Sequence, residues 1–196
     1  MLEFDPVEHA YRWQGKPVPG VTTIIRGALG DPFEHVAAPV LERARQRGSA
    51  VHKACELDDA GCLDEATVDA RIVPYVEAWR KFRREFGFRV QFAERPLYHA
   101  VHGYAGTPDC AIELACGLPA IVDRKTGLPG PAAALQTAAY AELAYWLDAP
   151  PRQLRRFALR MLPNGRYQMH EYTNPGDFRD FLACLAVHRL KERLAT

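Results

Sequence analysis

Two aspartates and a lysine have the types and spacing for chemistry on a phosphate. Asp123 and Lys125 directly follow the apolar pair Ile121-Val122, and Asp109 lies fourteen residues before Asp123. Alternate side chains of a strand share a face, so a strand here places Asp123 and Lys125 together and Arg124 on the opposite side. Charged side chains at the end of a buried strand cost free energy unless something binds to them.

This arrangement suits metal-assisted attack on a phosphodiester. Magnesium and manganese ions prefer oxygen ligands, commonly carboxylates together with water and substrate phosphate, and Asp109 and Asp123 would supply the carboxylates. A nearby ammonium such as Lys125 can orient or deprotonate the attacking water and offset charge on the phosphate oxygens. An isolated Asp-x-Lys also occurs as an ion pair at a strand end, so the interpretation depends on the accompanying motifs.

Three other segments accompany the Asp-x-Lys pattern in a fixed order. They are Arg47-Gly48-Ser49-Ala50-Val51-His52, Gly103-Tyr104-Ala105-Gly106-Thr107-Pro108-Asp109 and Gln136-Thr137-Ala138-Ala139-Tyr140. Over residues 9–145 this ordered combination resembles the PD-(D/E)XK nuclease superfamily. The branch it resembles is the RecB type, which includes the RecB nuclease domain, Cas4-like proteins and many phage exonucleases.

The resemblance implies a role for each matching residue. The implied metal ligands are His52, Asp109, Asp123 and the backbone carbonyl of Arg124, and the implied catalytic residues are Lys125, Asp109, Asp123 and Glu94. Gln136 and Tyr140, four apart and therefore on one helical face, would face the cleft and position DNA. Arg124 departs from the pattern, because relatives commonly place an apolar or aromatic residue there, and its side chain needs a polar or solvent-facing exit.

Glu94 also stands out from the residues themselves. Phe88, Val90 and Phe92 alternate as in a strand, and continuing that alternation puts Glu94 on the core-facing side. A carboxylate on that side needs an explanation, which a metal or a supporting hydrogen bond would provide.

The resemblance implies a DNA nuclease that depends on Mg²⁺ or Mn²⁺ and leaves a 5′ phosphate and a 3′ hydroxyl. An exonuclease acting on DNA ends in phage or bacterial recombination or repair is the leading version. Its partners would be single- or double-stranded DNA ends, with a recombinase or a single-strand-binding protein as the candidate protein partner. The alternative from another class is a catalytically inactive DNA-binding or assembly module that retains the fold.

His99 and His102 form a second possible site, because an His-x-x-His pair can bind zinc. The expected hairpin at this position lacks the helix that would align such a pair, which favours ordinary turn residues. A zinc hydrolase using these two histidines is the second enzymatic alternative.

The length of 196 residues suits one domain, over residues 1–196. The fold class is α/β, a central mixed β-sheet flanked by helices, as in a restriction-endonuclease-like PD-(D/E)XK core. An N-terminal hairpin leads to a short helix at Thr22 or Thr23, and a helix over 36–58 is interrupted near Gly48. An amphipathic helix spans 71–86, a helix spans 132–147 with Leu135, Leu143 and Trp146 in one stripe, and strands at 153–162 and 167–172 form a C-terminal hairpin before a last helix.

Arginines concentrate near the C-terminal hairpin. Arg152, Arg155, Arg156, Arg160 and Arg166 cluster there, with Arg155 and Arg156 as the leading candidates for phosphate contacts. Protection of an edge strand by charge accounts for the cluster equally well. A second basic group, Arg80 to Arg84, lies on the amphipathic helix, where a solvated face is the simpler interpretation.

Composition limits the remaining classes. The net charge of +1 gives no global nucleic-acid-binding surface, so any such surface must be local. The five cysteines are scattered without a Cys-x-x-Cys pair, which predicts reduced thiols and no iron–sulfur cluster. No apolar run reaches the length of a membrane span and no leader pattern opens the chain, so a cytoplasmic protein without membrane partners is expected.

Overall fold

The structure is a computed structural model that describes residues 1–145 and 153–195. Its strands are β1 Leu2–Asp5, β2 Ala10–Trp13, β3 Lys16–Val18, β4 Phe88–Ala93, β5 Leu97–His99, β6 Tyr104–Gly106, β7 Cys110–Leu114, β8 Pro119–Lys125, β9 Arg155–Met161 and β10 Tyr167–Glu171. Its α-helices are α1 Val21–Leu29, α2 Ala38–Asp59, α3 Val73–Phe86, α4 Ala133–Tyr145 and α5 Asp177–Ala195.

A mixed five-stranded sheet in the order β10-β9-β8-β7-β4 lies at the centre. The pair β8–β9 is parallel and the other three pairs are antiparallel. A parallel pair needs a crossover connection, which α4 provides between β8 and β9. The predicted class, a central mixed sheet flanked by helices, is confirmed.

Two hydrophobic cores cover the two faces of the sheet. One face packs against α2 and α3 through side chains such as Val51, Trp79 and Phe82, and is called the α3 face below. The other packs against α1, α4 and α5 through side chains such as Ile24 and Phe181, and is called the α4 face. Strand β8 divides its side chains accordingly, with Val122 on the α3 face and Ile121 on the α4 face.

Strand β4 does not keep the alternation expected from its sequence. The pairing with β7 shifts register between Val90 and Phe92, and Phe92 packs on the α4 face whereas Phe88 and Val90 pack on the α3 face. A β-bulge inserts an extra residue and reverses side-chain parity beyond it. The alternation used to place Glu94 therefore breaks at the bulge, and Glu94 follows the strand in a left-handed conformation with φ of +46°. Its carboxylate nevertheless contacts the Arg124 side chain, which lies on the α3 face.

The N-terminus forms a three-stranded sheet rather than the predicted hairpin. The additional strand is β1, which pairs with β2 and brings Phe4 opposite Tyr11. Helix α1 begins at Val21 after Gly20 and has no side-chain cap, so the predicted start at Thr22 or Thr23 is slightly late. A separate hairpin of β5 and β6 lies beside this sheet, and a bridge joins Gly20 to Ala105.

Helix α2 runs without a break through Gly48, where an interruption was expected. Apart from its chain neighbours and the backbone of its own helix, no atom of the described residues lies within 4 Å of the position that a Cβ would occupy at Gly48. Packing therefore does not require a glycine here, and the glycine does not break the helix. Continuity matters for the site because His52 follows one turn later, on the side of α2 that faces the sheet end.

The basic group on α3 is largely paired with acids. Arg80 bonds Asp58, and Arg83 bonds Asp59, which ties α3 to the end of α2. This favours the structural interpretation of that surface over DNA contact.

The C-terminal hairpin and last helix form as predicted, with β9 and β10 antiparallel and α5 beginning at Asp177. Asn174 accepts a hydrogen bond from the backbone N–H of Gly176 at 2.9 Å, as expected for a residue preceding a helix. Trp146 and Arg152 lie outside the described residues. Within the described ranges, no helix combines the length and apolar character needed to cross a bilayer.

Candidate metal centre

Five elements meet at the end of the sheet where β8 finishes and β7 begins. Helix α2 contributes His52, and the residue after β4 contributes Glu94. Asp109 immediately precedes β7, and Asp123 and Lys125 end β8. Helix α4 then covers this end with Gln136 and Tyr140. The residues that the sequence motifs singled out around the metal site therefore lie together.

Three side chains form a possible metal-binding group. The ligating atoms of His52, Glu94 and Asp109 all lie within 4.8 Å of one another. His52 Nδ1 is 3.1 Å from Glu94 Oε1, and His52 Nε2 is 3.7 Å from Asp109 Oδ2. Glu94, predicted as a catalytic acid, is thus the third member of this group, whereas Asp123, predicted as a ligand, is not a member.

The backbone of Arg124 completes one side of this group. His52 Nε2 donates to the Arg124 carbonyl oxygen at 2.9 Å, and the Arg124 N–H donates to Asp109 Oδ2 at 2.7 Å. Burial alone would lower the pKa of His52, but Asp109 and Glu94 outweigh it and raise that pKa. The carbonyl predicted to bind metal therefore does face the other donors.

The side chain of Arg124 points to the opposite face of β8 from Asp123 and Lys125, and it is completely buried. Its Nη2 donates to Glu94 Oε1 at 3.0 Å and to the Asp109 carbonyl at 2.9 Å. Its guanidinium also lies 5.1 Å from the ring centre of Trp79, in cation–π geometry. From the sequence, this side chain needs either polar partners or exposure to solvent, and in the structure it has polar partners.

Asp123 and Lys125 form a pair on the α4 face. Lys125 Nζ donates to Asp123 Oδ1 at 2.9 Å, and Asp123 has no solvent exposure. Burial is the main reason that the pKa of Asp123 is raised, to about 6. Burial alone would lower the pKa of Lys125, but Asp123 and Asp109 outweigh it and raise that pKa. The ammonium form of Lys125 is thus held in place.

Gln136 and Tyr140 continue this chain of hydrogen bonds rather than lining an open surface. Gln136 Oε1 accepts from Lys125 Nζ at 3.3 Å, and Gln136 Nε2 donates to the Tyr140 hydroxyl at 3.2 Å. Tyr140 is only 5% exposed, and burial raises its pKa well above the ordinary value. Tyr140 therefore supports Gln136 and Lys125 from within the core, and its contact with substrate stays a prediction.

Arg155 and Arg156, predicted to contact phosphate, are occupied by protein partners. Arg155 forms a two-bond pair with Glu171, with both distances at 2.7 Å. Arg156 is buried and bonds Asp177 Oδ2 at 2.8 Å and the carbonyl of Asn174 at 2.9 Å. Arg156 consequently joins β9 to the start of α5 and does not present its guanidinium to a ligand.

The possible zinc pair lacks a third ligand among the described residues, since neither His99 nor His102 belongs to a group of three or more candidate donors there. His99 Nδ1 instead accepts from the His102 backbone N–H at 3.2 Å, and its ring stacks on Tyr104. These contacts support the turn interpretation of both residues.

The sequence motifs missed Asp59, an acid whose side chain is buried and contacts the residues supporting the site. Asp59 accepts from Trp79 Nε1 at 2.8 Å and lies 3.6 Å from Arg124 Nη1, so it belongs to the same buried network. No local pattern marks it. The one available signal was the departure at Arg124, because a buried arginine requires acidic partners.

Comparison with known proteins adds little. No protein-family model matches the chain, and no curated protein matches it. Among solved structures the chain is similar to one described as "Crystal structure of SSO0001", with 15% sequence identity, a TM-score of 0.38, and coverage of 89% of this chain and 84% of that chain. So distant a likeness carries no argument about function.

Proposed function

We propose that this chain is a divalent-metal-dependent deoxyribonuclease with the restriction-endonuclease-like core of the PD-(D/E)XK superfamily, in its RecB-like branch. The observation that carries the proposal is the meeting of His52, Asp109, the Arg124 carbonyl and the Asp123–Lys125 pair at one end of the sheet. His52 and Arg124, which contact each other here, are 72 positions apart in the chain.

The donor set fits a hard divalent cation. His52, Glu94 and Asp109 offer an imidazole nitrogen and carboxylate oxygens, and the Arg124 carbonyl faces the same space. Asp123 Oδ2 is buried and has no hydrogen-bond partner among the described residues. An unpartnered buried carboxylate oxygen is costly, and a cation would satisfy it. His52, Asp109, Asp123 and the Arg124 carbonyl would hold Mg²⁺ or Mn²⁺, with Glu94 as a further ligand or as the partner of His52.

A bound divalent ion would polarise the phosphate and lower the pKa of an attacking water. Lys125 contributes charge and a hydrogen-bond donor rather than a base, because its pKa is raised and it stays an ammonium near neutral pH. Asp123 and Gln136 fix the position of that ammonium beside the donor set. A fixed positive charge of this kind stabilises the charge that develops on the phosphate oxygens.

The substrate in this proposal is DNA with free ends, cut to leave a 5′ phosphate and a 3′ hydroxyl. The role would be in recombination or repair, in a phage or a bacterium. The exonuclease form of the proposal rests on the sequence resemblance alone.

The test uses end-labelled linear DNA and closed circular DNA, each single- and double-stranded, with Mg²⁺, Mn²⁺ or EDTA. We expect metal-dependent degradation of the linear substrates. Asp123→Ala and Lys125→Ala should each lower the rate by about 100-fold or more, since the first removes a proposed metal ligand and the second removes the positive charge beside the phosphate. Lys53→Ala is the matched control, because Lys53 lies beside His52 on α2 but is exposed and pairs with Glu56.

The outcomes separate the alternatives. Cutting of closed circles would make the protein an endonuclease. Binding of DNA without cleavage under any metal would overturn the catalytic proposal in favour of an inactive binding module.

A further inference from the structure

A trough of about 390 Å³ lies beside the proposed metal centre and contributes none of its proposed ligands. One wall is the loop 128–131 that follows β8, and the floor is the end of β9 and the edge strand β10. We call it the β9–β10 trough, and its side chains used below are Ala158, Arg160, Gln168, His170 and Tyr172.

Strand register places this trough on the same sheet face as Lys125. In the parallel pair β8–β9, Lys125 is the partner of Arg160 and Asp123 is the partner of Ala158. Registered partners point to the same face, and neighbouring strands lie about 4.8 Å apart. On β10, Gln168 is opposite Arg160 in turn. The trough therefore extends directly from the Asp123–Lys125 pair towards the edge of the sheet.

Tyr172 joins the trough to the metal centre. Its phenol lines the trough, and burial together with Asp123 raises its pKa, while Lys125 lowers it. Tyr172 is thus within electrostatic range of both residues of the pair. The His170 ring lies against Tyr172 with centres 4.6 Å apart, so two rings stand side by side at this end.

Arg160 differs from Arg155 and Arg156, the two other arginines of β9, in having no acidic partner among the described residues. Its Nη1 donates to the neutral Gln168 side chain at 3.1 Å, whereas Arg155 is paired with Glu171 and Arg156 with Asp177. Arg160 Nε is buried and has no hydrogen-bond acceptor among the described residues. None of the residues lining the trough carries a carboxylate. A guanidinium in such surroundings is suited to a phosphate, which accepts two parallel hydrogen bonds from it.

We propose that the β9–β10 trough binds the nucleotide adjacent to the cleaved phosphodiester, with Arg160 contacting its phosphate and the His170 and Tyr172 rings beside its base. The size of the trough suits one nucleotide rather than a base pair, so it receives a single strand. Aromatic rings next to a cation are the usual means of holding single-stranded nucleic acid without sequence preference. This inference rests on the proposed function, because it assigns the substrate path of that site.

The experiment measures binding separately from cleavage. The full chain is titrated into a fluorescent single-stranded oligothymidylate in EDTA, and anisotropy gives the Kd at several NaCl concentrations. We expect Arg160→Ala to raise the Kd by about tenfold, as for loss of one charge-assisted hydrogen-bonded contact. The slope of log Kd against log salt should fall by about 0.7, the value for one phosphate contact on a single strand. Arg160→Lys should keep the salt slope and recover part of the affinity.

The matched control is Arg166→Ala, because Arg166 is an exposed arginine of the same hairpin outside the trough. It should bind as wild type does. Circular dichroism and thermal unfolding of each variant exclude misfolding as the cause of weak binding.

Failure of this inference and failure of the proposed function give different results. If the wild type cleaves DNA but Arg160→Ala binds with unchanged Kd and salt slope, the trough is not on the substrate path and the nuclease proposal stands. If the wild type binds through Arg160 but never cleaves, the trough assignment stands and the catalytic proposal falls. A wild type that neither binds nor cleaves DNA overturns both.

Discussion

At the scale of single residues, Arg124 shows how one position serves both sides of a sheet. Its backbone carbonyl and N–H contact His52 and Asp109, while its side chain is buried on the α3 face beneath Trp79. Burial alone would lower the pKa of the guanidinium, but the neighbouring thiols and acids outweigh it and raise that pKa, so it remains a cation. Its positive charge compensates the negative charge of Glu94, whose carboxylate lies close to that of Asp109.

Replacing Arg124 should therefore destabilise the fold strongly. Arg124→Met removes the cation and leaves Glu94 and the Asp109 carbonyl without that donor, so we expect a loss of about 3–5 kcal/mol in the free energy of unfolding. Urea denaturation monitored by tryptophan fluorescence measures it. Arg89→Met is the control, because the Arg89–Glu113 pair is exposed and should contribute less than about 1 kcal/mol. Equal losses in the two variants would contradict the buried role of Arg124.

At the scale of elements, α4 holds the Lys125 side of the site through close packing. The space beside Gly106 on β6 is filled by Tyr140 and Leu143 of α4 and by Val21 of α1. A Cβ at Gly106 would lie 2.9 Å from the Tyr140 ring and 2.9 Å from Leu143 Cδ1. The absence of a side chain at Gly106 thus lets α4 approach the β5–β6 hairpin.

Gly106→Ala should accordingly reduce both stability and activity. The added methyl forces the Tyr140 ring to shift, which we expect to cost about 1–3 kcal/mol and to disturb the Gln136–Lys125 contact. Gly48→Ala offers a control of opposite sign, because Gly48 is in the middle of α2 with open space around it. It should stabilise the protein by about 0.5–1 kcal/mol. Thermal unfolding and cleavage rates are measured for both, and a Gly106→Ala variant as active and stable as wild type would refute the packing argument.

The β5–β6 hairpin provides a prediction on pH. Burial and the neighbouring His102 lower the pKa of His99 to about 4, from an ordinary 6.5. Between pH 6.5 and pH 4, His99 is therefore protonated in the unfolded chain but neutral in the folded chain. The free energy of unfolding consequently falls as the pH decreases towards 4. The contribution of the lowered His99 pKa to the free energy of unfolding is fully present above pH 6.5.

The measurement compares wild type with His99→Gln between pH 7 and pH 4.5. We expect the stability advantage of the wild type over the variant to shrink by about 2 kcal/mol across this interval. His35→Gln, on an exposed histidine, is the control substitution. A His99→Gln difference that does not change with pH would show that His99 titrates normally in the folded protein.

At the scale of the whole molecule, the candidate metal centre joins parts of the chain that no local structure holds together. His52 on α2, Glu94 after β4 and Asp109 before β7 are brought within 4.8 Å only in the folded state. A ligand that binds the folded but not the unfolded chain shifts the unfolding equilibrium by mass action.

Mn²⁺ should consequently stabilise the protein. At a concentration one hundred times its Kd, the free energy of unfolding should rise by about 2.7 kcal/mol, and EDTA should reverse the change. Thermal melts with increasing Mn²⁺ measure the effect. Asp109→Ala should abolish it, whereas Asp64→Ala, on an acid outside the metal group, should leave it intact. Stabilisation that survives Asp109→Ala would place the metal elsewhere.

Local pattern was sufficient for much of the fold. The spacing of apolar residues predicted α3, α4 and α5, because a period of 3.6 residues depends only on which side of a helix is buried. The turn Pro163-Asn164-Gly165 predicted the β9–β10 hairpin. Local pattern was insufficient at β4, where a bulge reversed the parity, and at the N-terminus, where β1 forms a strand only by pairing with β2. Both features depend on a partner strand rather than on the segment itself.

For the candidate site, the motifs alone were enough to single out His52, Asp109, and Asp123 with Lys125 on one strand face. Three further features depend on the folded arrangement: Glu94 forms a group with His52, Tyr140 and Arg156 are buried supports, and Arg160 lies beside Lys125. The reason is physical. Side-chain direction along one strand follows from local geometry, whereas burial and neighbours across strands follow from pairing register and packing between segments far apart in the chain.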